Sequence, residues 1–208
     1  MELRTAIQTR ASVRQYAEGS VPVDDLREMV RLAGLAPSAN NSQPWRYIAI
    51  TNKEILREMA SAVKAKINAT LPDSADEARK KAKSQVEWFS TFFQDAPAVF
   101  AVAACPYRAV IDDALPEGLS HEELNALRGH PDVQSIGASV QNLLLAAVEM
   151  GYGTCWMSGP LLARKELEQI LGLESPWSLA ALVTVGRPGA SAKQREKKPV
   201  EEIFELRA

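Results

Sequence analysis

From Asp24 the chain places Leu26, Met29, Val30 and Ala33 at i, i+3, i+4 and i+7, the spacing of one buried stripe on a helix. This helix should end before Pro37, whose ring disfavours helical backbone at Ala36. Tyr47–Ile50 then reads as a short strand, and the helix after it buries Leu56, Met59, Ala60 and Val63. Thr51 and Glu54 are spaced as a capping box at its start, each side chain satisfying a free backbone N–H. Ser74 with Glu77 and Ser120 with Glu123 repeat that spacing and place two further helix starts. An earlier helix should end at the Arg10–Arg14 cluster.

The second half is more apolar. Ala98–Cys105 is a continuous apolar run between Pro97 and Pro106, which suits a strand buried on both faces. Ile136–Met150 is apolar nearly all round, the mark of a central buried helix, and Gly151 stops it. Trp156 and Met157 fall on or just after a short strand. Ala163–Leu171 is a short helix ended by Gly172, and Ser178–Val185 is a second fully buried strand. The tail from Gly189 to Pro199 is polar and basic, followed by Val200–Leu206. There is no internal repeat and no low-complexity tract. The pattern predicts one mixed α+β domain over residues 1–208, rich in helix.

Composition narrows the function. At about 150 residues per domain, 208 residues make one domain. Such a chain can bury roughly 70% of its unfolded surface and needs no disulfide or metal to fold. Lys plus Arg number 24 against 26 Asp plus Glu, a net charge of -2 that argues against nucleic acid or an anionic membrane as partner. Cys105 and Cys155 are too far apart for a CxxC pattern and read as small buried packers. The only histidines, His121 and His130, exclude a multi-histidine metal centre, and no metal is expected. Met1–Arg10 lacks the apolar centre of a signal peptide. The most apolar stretches fall well short of the roughly 20 residues of a membrane span. The expectation is a cytoplasmic protein using an organic cofactor or none.

Four segments offer chemistry. In Thr9–Tyr16, Arg10 and Arg14 flank Ser12; guanidinium forks and a hydroxyl suit phosphate oxygens, though a solvated helix end would look the same. Ala36–Trp45 is a loop of small and amide side chains closed by Pro44-Trp45, which lets backbone approach a ligand or merely turns the chain. Gly151–Pro160 fails as a Rossmann phosphate loop, because its glycines follow a helix and precede a strand. What remains there is a strand end with Ser158 and Gly159, where backbone N–H groups can face a flat ligand. Lys193–Lys198 is a basic stretch that matters only if the fold sets it beside Arg10.

In combination these pieces resemble the nitroreductase family of FMN-dependent oxidoreductases. The residues carrying the resemblance are Arg10-x-Ser12-x-Arg14-x-Tyr16, Ala36-Pro37-Ser38-x-x-Asn41-x-Gln43-Pro44-Trp45, Gly151-x-Gly153-x-x-Trp156, and the basic stretch leading to Pro199-Val200-Glu201-Glu202-Ile203. The Asn41 loop is the most specific of them, and residues 64–95 and 106–133 match no motif. The resemblance implies a homodimer with a central, mostly antiparallel sheet flanked by helices, and FMN at the dimer interface. It implies that Arg10 and Ser12 bind the FMN phosphate and that Arg14 lies near the flavin N1/O2 edge. Pro37, Ser38, Ala39 and Asn41 would come from the partner chain, with Ser158 and Gly159 near N5 and O4 and Met157 also among the cofactor-binding residues. Arg195 and Lys197 would complete the phosphate site. Ala11 stands where many relatives carry a larger or basic residue, so its flavin contact would be through backbone.

The implied activity is hydride transfer from NAD(P)H through flavin N5 to a flat small-molecule acceptor, such as a nitroaromatic or quinone, in a ping-pong sequence. The cofactor does the chemistry, so no catalytic side chain is expected. Trp88, Phe89, Phe92 and Tyr107 either wall the acceptor pocket or are ordinary packing. The rivals are a flavin-consuming or other FMN-dependent oxidation on the same fold, non-catalytic FMN binding, and the same fold without flavin.

Overall fold

The computed structural model describes residues 1–107, 109–114, 120–190, 192 and 194–207; Lys193, which heads the basic stretch, lies outside them. Its helices are α1 (Leu3–Thr9), α2 (Val23–Ala33), α3 (Lys53–Thr70), α4 (Glu77–Thr91), α5 (His121–Leu127), α6 (Pro131–Glu149) and α7 (Arg164–Ile170). Its strands are β1 (Trp45–Ile50), β2 (Ala98–Ala104), β3 (Gly153–Met157) and β4 (Ser178–Gly186). They form one sheet in the order β1-β2-β4-β3, every neighbouring pair antiparallel.

This order explains the two unbroken apolar runs. β2 and β4 are the inner strands, and both of their faces are covered. Ala98, Phe100 and Val102 of β2 turn to one side, where α2 and α6 bring Leu26, Met29, Ile136, Val140 and Leu143. Val99, Ala101 and Ala103 turn to the other, against Leu56, Met59, Val63 and Ile67 of α3 and Leu167 of α7. The fold is thus α+β, a helix–sheet–helix sandwich with a core on each side of the sheet. No described helix is long and apolar enough to cross a membrane.

Helix starts depart from the capping-box expectation in two places of three. Asn52, not Thr51, caps α3 by accepting from Glu54 N at 2.8 Å. Asp76, not Ser74, caps α4 by accepting from Arg79 N at 2.9 Å, while Ser74 Oγ accepts from Asp76 N. Asn52 and Asp76 offer strong acceptors immediately before the helix, and an ionised carboxylate also suits the positive helix end. At α5 the box forms as expected, with Ser120 Oγ accepting from Glu123 N and Glu123 Oε2 from Ser120 N. α6 begins at Pro131, ahead of Ile136, because its first turn is polar and carries proline where no N–H is needed.

Candidate functional site

After α1 the chain runs as a strap along the free edge of β3. Ser12 bridges Thr154 in parallel, and Val13 N donates to Thr154 O at 2.9 Å. From below, the Tyr16 hydroxyl donates to Val13 O at 2.8 Å and shares a 2.5 Å hydrogen bond with Thr184 Oγ1, itself fully buried. Burial pushes the Tyr16 phenol above its ordinary range, so it stays protonated as a donor. Small residues make the approach possible: a Cβ on Gly153 would lie 2.5 Å from Val13 Cγ2. These contacts fix the backbone on either side of Ser12 and Arg14.

The tail closes the other side. It leaves β4 antiparallel to the strap, with Ala17 N donating to Arg187 O and Gly189 N to Gln15 O. Gln194 Nε2 then donates to Ile7 O at 2.8 Å and Arg10 O at 2.7 Å, at the end of α1. The result is a recess of about 190 Å³ lined by Arg10, Ala11, Ser12, Arg14, Gln194, Arg195 and Lys197. Four cationic side chains and no carboxylate line it. Among the described residues, none of the four forms an ion pair. Gathering them in a chain of net charge -2 leaves a concentrated positive field that an anion would neutralise. The bidentate geometry of arginine suits a phosphate there.

Two polar atoms beside the recess are buried and unpartnered, Arg14 Nε and Thr154 Oγ1. The Arg14 guanidinium lies 5.5 Å from the centre of the Phe89 ring. A larger adjoining recess of about 530 Å³ shares Arg10, Ser12, Gln194 and Lys197 and adds Thr154, Trp156 and Gln141. An unpartnered donor on a fixed arginine, beside a cationic recess and a wider cavity, fits the acceptor-rich edge and phosphate of a flavin mononucleotide. Cys155 is buried on the strand beneath, and burial pushes its thiol up, so it is no nucleophile.

The remaining predicted residues divide. Met157 is buried at the end of β3, and exposed Ser158 and Gly159 follow it. A Cβ on Gly159 would sit 2.6 Å from Ser90 Oγ, so α4 closes directly on this turn. Trp88 of α4 is 49% exposed and lines a recess of about 210 Å³ with Val13 and Arg14. Phe92 is buried behind it, stacked at 5.5 Å. Tyr107 lies elsewhere. It follows the Ala104 end of β2, whereas the strap sits near the Ala98 end, and its buried ring meets His121 edge-on at 5.8 Å.

The Asn41 loop is also apart from the recess within one chain. Ala39 N donates to Ser135 Oγ near the start of α6. Gln141 and Leu144, which line the larger recess, lie about 9 and 14 Å further along that helix at roughly 1.5 Å per residue. Asn40, Asn41 and Gln43 hold φ of 53, 53 and 47°, the left-handed region that asparagine tolerates best. Pro37 and Asn41 are exposed, Ser38 and Ala39 half-buried. Gln194, Thr154 and Gln141 were not singled out from sequence. Their local surroundings carry no signal, and only the strap and tail contacts bring them in.

The profile of the nitroreductase family matches residues 7–187. YfhC of Bacillus subtilis (strain 168), assigned by name to the NAD(P)H nitroreductases, is 24% identical over 202 residues, 97% of this chain and 92% of its own. A solved structure described as a BluB-like flavoprotein from Clostridium difficile 630 superposes with a TM-score of 0.88 at 28% identity, over 100% of both chains. NfnB from Sphigopyxis sp. strain HMH, described as an FMN and NADPH-dependent nitroreductase, shares the fold with a TM-score of 0.74 at 17% identity, again over 100% of both.

Proposed function

The chain belongs to the nitroreductase family, and on that premise we propose that it is a cytoplasmic, FMN-dependent oxidoreductase taking electrons from NAD(P)H. The observation that carries the reading is the recess in which Arg10, Arg14, Arg195 and Lys197 converge without a carboxylate. Arg10, Ser12, Arg195 and Lys197 would hold the phosphate. Arg14 would set a fixed cation, with its free Nε, at the N1/O2 edge, where two-electron reduction leaves negative charge. Ala11, Met157, Ser158 and Gly159 would face the ring through backbone. FMN, when bound, supplies hydride transfer at N5, first from NAD(P)H and then to a flat acceptor such as a nitroaromatic or quinone.

A second copy completes the site in this reading. The Pro37–Asn41 segment, exposed at Pro37, Asn40 and Asn41, lies apart from the cationic recess of its own chain, so a homodimer would present it to the partner's flavin. Trp88 would wall the acceptor pocket with Phe92 behind it, and Tyr107 would approach from the other chain. Water exclusion falls to these aromatic side chains. The names YfhC and NfnB carry support the pyridine-nucleotide donor.

The test is a visible spectrum of the purified protein, repeated without oxygen after NADPH and after NADH. Flavin absorbance that bleaches with either nucleotide is the expected result. A second reading is favoured by the TM-score of 0.88 to the BluB-like flavoprotein, above the 0.74 to NfnB. It is FMN put to another use on this fold, a flavin-consuming or other oxidation, or binding without turnover. Flavin that copurifies and stays oxidised with both nucleotides selects that reading. Absence of flavin, with no binding of added FMN, refutes both.

A further inference from the structure

Arg10 and Arg14 come from the N-terminal strap, and Arg195 and Lys197 from the tail. The fold must therefore hold together two like-charged groups that repel each other until an anion arrives. Gln194 stands between them with no charge of its own. Its amide nitrogen donates to Ile7 O at 2.8 Å and to Arg10 O at 2.7 Å, contacts spanning 187 and 184 positions. Both carbonyls belong to the end of α1, where a helix leaves its last C=O groups without intrahelical partners. One amide nitrogen carries two hydrogens, so a single side chain satisfies both. Lysine or arginine could also cap these carbonyls, at the cost of one more positive charge in the recess.

The tail has little else to hold it. Among the described residues, the two Gln194 bonds are the hydrogen bonds that join residues 190–207 to the rest of the chain. Gly189 is the last anchored residue before them, through its N–H on Gln15 O at 3.0 Å. From this geometry we infer that Gln194 is the positioning residue that assembles the anion recess from its two halves, and that through it the chain selects a phosphorylated flavin over the unphosphorylated one. The inference rests on the FMN reading above. Without the Gln194 amide, Arg195 and Lys197 separate from Arg10, and only a ligand that uses those cations loses affinity.

The test is a titration of the full-length chain, stripped of flavin, with FMN and separately with riboflavin, read by flavin fluorescence. Gln194→Ala should weaken FMN binding about tenfold, equivalent to about 1.4 kcal/mol and within the range of two neutral hydrogen bonds. Riboflavin binding should stay within about twofold, because it lacks the phosphate that Arg195 and Lys197 would hold. Gln194→Glu, which trades both donors for a carboxylate, should weaken FMN further. The unfolding temperature of the flavin-free Gln194→Ala chain should fall by no more than about 3–6 °C, the cost of the two lost hydrogen bonds at about 2–4 °C per kcal/mol. Combined with Lys197→Ala, the loss should be smaller than the sum of the separate losses, since both act on one phosphate contact. Parallel weakening of FMN and riboflavin, or strict additivity with Lys197→Ala, overturns the inference and leaves Gln194 a general structural residue. A wild-type chain that binds neither ligand marks a different failure, that of the FMN reading itself.

Discussion

Gly153→Ala probes the docking of the strap on β3 at its tightest point. The added Cβ would lie 2.5 Å from Val13 Cγ2, 2.7 Å from Val13 Cβ and 2.9 Å from Val13 Cγ1. Carbon atoms at rest are about 3.5–4.0 Å apart. Because Val13 Cβ is itself too close, rotating the valine cannot clear the clash, and the strap backbone must withdraw by about 1 Å. Val13 N and O are both engaged, with Thr154 O and the Tyr16 hydroxyl, so withdrawal stretches both hydrogen bonds. Overpacking costs about 1–3 kcal/mol, and the strained bonds put this case near the upper end. At about 2–4 °C per kcal/mol for a chain of this size, the unfolding temperature should fall by about 6–12 °C. FMN affinity should fall with it, since Ser12 and Arg14 flank Val13.

The control is internal. Val13→Ala in the Gly153→Ala chain removes two of the three clashing atoms and should recover part of the loss. A double-mutant cycle should show coupling well above the roughly 0.5 kcal/mol of independent sites. Gly172→Ala, at φ +60 with nothing within 4 Å, should cost about 1–2 kcal/mol of backbone strain and leave FMN binding alone. Unchanged stability in Gly153→Ala, with no coupling to Val13, would refute the docking of the strap.

Tyr16→Phe leaves Val13 O without its donor and Thr184 Oγ1 with only a 3.4 Å contact to Cys155 O, so denaturant unfolding should register a loss of about 1–3 kcal/mol; a loss below about 0.5 kcal/mol contradicts the pin. Burial pushes the Tyr47 phenol up to about 12, despite its hydrogen bond to Ser139, and pushes the Tyr16 phenol up as well. The unfolded phenols titrate near about 10, so this stability is intact below that pH and lost as pH rises from there through about 12. Denaturant midpoints measured across that window should decline, and less steeply in Tyr47→Phe; an equal decline in both chains would count against the assignment. Gly159→Ala brings a methyl to 2.6 Å from Ser90 Oγ but leaves Ser90 Cβ at 3.5 Å, so the hydroxyl can rotate away and the cost should be about 0.5–1.5 kcal/mol. Ser90→Ala in the same chain should restore most of it, and failure to do so would show that α4 does not rest on this turn.

The inner strands and the amphipathic helices were legible because periodicity is a local signal. β2 and β4 read as unbroken apolar runs since each must be dry on both faces, and α2 read as a stripe since only one face meets the sheet. The Ser120–Glu123 box was legible for the same reason, its partners lying a turn apart. Thr51 and Ser74 misled because Asn52 and Asp76, equally good acceptors, stood nearer to the helices. The motif residues Arg10, Ser12 and Arg14 were visible as a cluster, and the nitroreductase resemblance gave them a role. What no local pattern could disclose is which distant groups meet. Gln194 reaching the end of α1, Gly153 admitting Val13, and Thr154 facing the recess are contacts between segments more than a hundred positions apart. Within one chain the Asn41 loop rests on the start of α6, apart from the cationic recess. Hydrophobic burial requires only that a residue be apolar at the right period, which a sequence records. A binding recess requires particular donors at particular distances, and those distances exist only after the sheet has set the register of the segments that carry them.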